Sequence, residues 1–97
     1  MAIETYVWAS LFTYFMKLNI ENNSYDWVAD FSASNCEPSS GRLMPNTRIA
    51  VEVLELKRGR YPEVEFRFNG QSKSMEPKYI PGTVRLKSDG TLESIHG

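Results

Sequence analysis

The chain has 97 residues, is 41% hydrophobic and 24% charged, and carries a formal net charge of −1. Those values describe one folded domain (residues 1–97) with a modest core, exclude a disordered or fibrous protein, and give no global field toward nucleic acid or an anionic membrane. A single cysteine, Cys36, excludes an internal disulfide framework and points to a reducing, cytoplasmic setting.

The start, Met1 to Thr5, has no basic segment of the kind that opens a secretory signal. Tyr6 to Ile20 is interrupted by Ser10, Thr13, Lys17 and Asn19, too polar to span a bilayer. A helix over this stretch would align Ile3, Val7, Leu11, Tyr14, Phe15 and Leu18. A strand would put Tyr6, Trp8, Phe12, Tyr14, Met16, Leu18 and Ile20 on one face. More than half of residues 5–20 are β-branched or aromatic, which favours the strand.

A turn at Asn22-Asn23 makes residues 12–33 a long aromatic hairpin. Ile20 then faces Tyr25, Leu18 faces Trp27, Met16 faces Ala29, Tyr14 faces Phe31 and Phe12 faces Ala33. The sequon Asn22-Asn23-Ser24 falls in that turn and reads as a chance occurrence. Residues 34–46, with two prolines and a glycine, read as a long loop of the kind that is often functional.

A second hairpin is predicted from Thr47–Lys57 and Glu63–Asn69, with Val53 facing Phe66, Val51 facing Phe68 and Glu52 facing Arg67. The change of phase from Val53 to Leu54 calls for a β-bulge. Residues 70–82, with Pro77 and Pro81, read as a further loop. Thr83–Lys87 and Thr91–Ile95 make a third hairpin about Asp89-Gly90, with Val84 set against Ile95. The expected fold is therefore all-β, a small antiparallel barrel or sandwich of about six strands from three sequential hairpins.

Catalytic equipment is sparse. The sole histidine is penultimate, so no Ser-His-Asp or Cys-His pair and no ordinary zinc site can be assembled. Cys36 beside Glu37 should have a raised thiol pKa and be inert. No glycine-rich phosphate cradle is present. Glu52, Glu63 and Glu65 across the second hairpin, or Asp26 and Asp30 in the first, are the remaining carboxylates, and they read better as solvated sheet faces. No enzyme activity, cofactor or metal is expected.

Binding is the better expectation. The outer face of the first hairpin carries Val7, Ala9, Leu11, Phe15 and Val28, more apolar than a solvated face should be. It suggests a non-enzymatic protein–protein module of the inhibitor, immunity or phage-accessory type. Such a module would act by steric occlusion through Trp8, Phe15, Trp27 and Val28, or pair with itself as a homodimer. The alternative is a single-stranded nucleic-acid-binding barrel using the basic tip Arg58, Arg60 and Tyr61 with Arg67.

Overall fold

A computed structural model describes residues 17–54 and 61–97, which form nine strands and no helix. They are β1 (Lys17–Asn23), β2 (Ala29–Ala33), β3 (Cys36–Glu37), β4 (Ser40–Leu43), β5 (Thr47–Val53), β6 (Val64–Phe68), β7 (Gln71–Met75), β8 (Gly82–Lys87) and β9 (Leu92–His96). The strands divide into a five-stranded sheet, β3-β5-β1-β8-β9, and a four-stranded sheet, β4-β2-β6-β7. The fold is an all-β sandwich, as the sequence implies, and not a closed barrel.

The core follows from period-2 alternation. In β1 the inward positions are Leu18, Ile20 and Asn22; in β2 they are Ala29, Phe31 and Ala33; in β6 they are Val64, Phe66 and Phe68. Val51 and Val53 from β5, Val84 and Leu86 from β8, Cys36 from β3 and Leu43 from β4 complete one buried cluster. Phe31 and Phe66 are its largest fully buried side chains, and each of this size contributes about 1.5–3 kcal/mol.

Strand pairing departs from the expected hairpins. The 12–33 hairpin does not form in its described part. Leu18 lies opposite Val51 on one side and Gly82 on the other, and Ile20 lies between Ile49 and Val84. The β1–β2 connection is a crossover from one sheet to the other, not a turn within a ladder. An apolar face in register with its neighbour in sequence is equally in register with another strand of the same period. Burial of Asn22 decides the matter, because a turn residue belongs in water and this one does not.

The second hairpin is absent for the same reason: β5 and β6 belong to different sheets, so Glu52 does not meet Arg67 or the Glu63–Glu65 pair. The phase change near Val53 needs no bulge within the described part of β5, because that strand ends at Val53 and Leu54 turns outward. The third hairpin does form, shifted by one residue, with Thr83 opposite Ile95 and Val84 opposite Ser94. Residues read as loop also contain strands, namely β3 and β4 in 34–46 and β7 in 70–82. β7 (Gln-Ser-Lys-Ser-Met) escapes pattern reading because it is an exposed edge. Lys73, on the phase of Phe66, puts a charge on the edge strand's inward phase, a known defence against edge-to-edge pairing.

Both outer faces carry rows of charge among the described residues, interrupted on the larger sheet by Ala50 and Ile95. On the larger sheet, Glu21 lies beside Arg48 and Arg85, and Arg85 lies beside Glu93, so charges alternate across four strands. Arg85 Nε reaches Glu21 Oε1 at 2.8 Å and its Nη1 reaches Glu93 Oε2 at 3.4 Å. On the smaller sheet, Arg42 pairs with Asp30 at 3.0 Å, and Arg67 lies 3.9 Å from Glu65. The exposed pairs on the smaller sheet contribute only about 0–1 kcal/mol each.

Cys36 is buried against β5, opposite Val53. Burial, not the neighbouring Glu37, pushes its thiol up from 9.0 to about 11. In the unfolded chain the thiol ionises near 9, whereas the folded protein holds the proton to about 11. Stability from this group is therefore complete below pH 9 and falls as pH rises toward 11. Urea midpoints for the wild type should decline over that window more steeply than for Cys36→Ala. Parallel decline of the two proteins would contradict the burial argument.

Candidate functional site at one end of the sandwich

The antiparallel and parallel registers together bring four connections to the same end of the molecule. These are residues 24–28 after β1, 44–46 before β5, the 69–70 turn after β6 and residues 88–91 after β8. Loops carried on a rigid sandwich are the usual place for recognition.

Each of the four is tied down. The 24–28 loop is held by Asn22, whose Nδ2 donates to Trp27 O at 2.8 Å and to Leu43 O at 3.1 Å. Its Oδ1 accepts from the Ser24 backbone N–H at 3.1 Å and from the Ser24 hydroxyl at 2.6 Å. One buried amide thus joins β1, the first loop and the end of β4. No buried side-chain nitrogen or oxygen among the described residues lacks a partner. The sequon is closed by the same bonds, since both Nδ2 hydrogens are in use and Asn22 has no exposure.

In the 44–46 loop the Thr47 hydroxyl donates to Met44 O at 2.6 Å, and Asn46 adopts φ 58°. Asn69 and Gly70, with φ 48° and 72°, make the two-residue turn whose twist suits a hairpin. In the last connection Asp89 Oδ1 accepts from the Thr91 hydroxyl at 2.6 Å and from its N–H at 3.0 Å. Those two bonds, the hydroxyl first, hold the Asp89 carboxyl below its ordinary range. Trp27 links three of the loops: its ring lies 5.0 Å from that of Phe68 at a 40° tilt, and its far edge underlies Gly90.

Three large apolar side chains are exposed at this end. Tyr25 is 76% exposed, Met44 55% and Val28 42%. Continuing the β2–β4 register one step past Ala29–Leu43 sets Val28 beside Met44, and continuing β2–β6 sets Val28 beside Asn69. A shallow groove of about 450 Å³ runs from Val28 past Asp30 and Arg67 to Gln71 and Ser72. Tyrosine, asparagine, serine and glycine on fixed loops form the composition by which antibody loops bind protein surfaces.

Of the residues expected to bind a partner, Val28 lies in this cluster as an exposed side chain. Trp27 lies there too, but as the half-buried support beneath it, not as an exposed anchor on a sheet face. Trp8 and Phe15 lie outside the described residues, as do Arg58 and Arg60. Tyr61 and Arg67 of the alternative nucleic-acid site sit toward opposite ends of β6, and Arg67 shares its surroundings with Asp30 and Glu65. They do not form a joint basic surface. Among the described residues no cluster of three metal-ligating side chains occurs.

Sequence reading missed Tyr25 as an anchor, Met44 altogether and Asn22 as the bond centre. The available signal was Asn22 itself, a polar residue on the inward phase of Leu18 and Ile20. No protein family, curated protein or solved structure matches the chain.

Proposed function

We propose that this protein is a non-catalytic recognition module that docks a protein partner through the four-loop end, with Tyr25, Met44 and Val28 as the contact residues. The observation that carries the reading is an exposed tyrosine on a loop whose conformation is already fixed by the Asn22 bonds. A preordered loop loses little conformational freedom on association, so its contact area converts into affinity more fully than that of a mobile one. The charged rows of the sheet faces offer no comparable anchor among the described residues, and Leu54, Tyr61 and Tyr79, exposed toward the opposite end, have no counterpart there of the buried Asn22 amide. The action is occlusion: the sandwich holds a small apolar patch over the partner's surface, as an inhibitor or accessory factor does. Self-association has less support, because its premise was a hairpin apolar on both faces, and β1 and β2 lie in different sheets.

Photo-crosslinking tests the reading. A crosslinking side chain at position 25 or 44, in the protein's own cells, should give a discrete adduct that the same probe at Ser74 on the edge strand does not. Adducts from position 74 alone would overturn it. Tyr25→Ala should leave the urea midpoint within about 0.5 kcal/mol of wild type, because the ring is mostly in water, while abolishing the adduct formed from position 44. A large loss of stability would make Tyr25 a structural residue.

A further inference from the structure

We infer that the partner surface read by the loop end is cationic, a segment bearing Lys or Arg among apolar residues; this inference rests on the recognition reading above. Charge at the tip is one-sided. The connections 24–28, 44–46, 69–70 and 88–91 contain two carboxylates, Asp26 and Asp89, and neither lysine nor arginine. Asp89 is occupied by Thr91 and lies near Lys87, so the weight falls on Asp26.

Asp26 is exposed, sits between Tyr25 and Trp27, and makes no hydrogen bond or ion pair among the described residues. Of the cations behind the tip, Arg42 is engaged with Asp30 and Arg85 with Glu21 and Glu93, Arg67 lies 3.9 Å from Glu65, and Lys87 at the end of β8 stands nearest to Asp89. Arg48, the first cation along β5, faces outward opposite Glu21. The tip therefore offers an uncompensated carboxylate next to an exposed aromatic face. An ammonium or guanidinium can bind to both at once, by ion pairing to the carboxylate and by attraction to the ring quadrupole. Val28 and Met44 would take the apolar residues that flank the cation. An anionic partner, nucleic acid included, would meet Asp26 with like charge and gain nothing from Tyr25 that a neutral one would not.

The probes are three synthetic peptides of equal length and equal Leu and Tyr content, with Lys/Arg, Gln/Ser or Glu/Asp in the remaining positions. Each is titrated to millimolar concentration into the isotopically labelled full chain, with amide shifts read by NMR. The cationic peptide should move Tyr25, Asp26, Asn46 and Gly90, and its affinity should fall about fivefold in Asp26→Asn and at least as much in Tyr25→Ala. Raising the salt concentration should weaken it further.

Tip shifts with the neutral or acidic peptide, or with a single-stranded oligonucleotide, would overturn the cationic preference and leave the loop end as a recognition surface. Cationic shifts confined to the sheet faces, or indifferent to Asp26→Asn, would overturn it as well. If none of the peptides moves the tip and position 25 gives no crosslink in cells, both readings fall.

Discussion

Asn22→Ala is expected to cost about 3–5 kcal/mol and to loosen three parts of the molecule together. The side chain has no exposure, and its loss removes the Nδ2 bonds to the Trp27 and Leu43 carbonyls as well as the acceptor for Ser24. A buried polar group left without a partner costs about 1–3 kcal/mol, and several are created at once. Chemical denaturation reads the total, and hydrogen exchange should show faster exchange at Ser24 and through the loop it opens. Ser24→Ala should cost about 1 kcal/mol, because the Asn22 bonds to both carbonyls survive. Asn22→Asp should be no milder than alanine, since a carboxylate would face two carbonyl oxygens. If Asn22→Ala unfolds within 1 kcal/mol of wild type, the bonds drawn through it do not fix the loop end.

Gly82→Ala is the second large effect. Gly82 begins β8 with β1 on one side and β9 on the other, opposite Leu18 and His96. A Cβ there would fall 2.5 Å from Tyr79 O and 2.8 Å from Ile95 O. Both atoms are backbone, so no side-chain rotation relieves the clash. Either the turn before β8 or the whole of β9 must move, and the expected loss is about 3 kcal/mol. Gly70→Ala is the control: nothing lies within 4 Å of its Cβ position, and only φ 72° opposes the change. It should cost about 1 kcal/mol. Equal costs at the two positions would show that strand packing around Gly82 is looser than the distances imply.

Strand identity was legible in the sequence and strand partnership was not. Alternation located β1, β2, β5, β6, β8 and β9 to within a few residues, because burial on one face imposes period 2 whatever the neighbour. Asp89-Gly90 gave the β8–β9 turn, since few dipeptides accept its backbone so readily. Asn22-Asn23 carried a similar composition and misled, because asparagine suits a turn in water and a buried bond centre equally well. What separates the two is the phase of Leu18, Ile20 and Asn22. β7 was invisible for a different reason: its residues make their ladder through the backbone, and all but Met75 stay in water. The binding end was illegible because it is assembled from four connections far apart in the chain, and only topology puts them together.

One pairing has a consequence for how the fold is reached during synthesis. β1 lies parallel to β8, with Leu18 opposite Gly82 and Asn23 opposite Lys87, so an early strand waits for one of the last. The larger sheet has β1 at its centre and cannot close until the ribosome has released residues near Lys87. Until then β1 has a ladder partner on one side only, β5. Folding should accordingly be slow for a chain of this size and should stall in products truncated before Gly82.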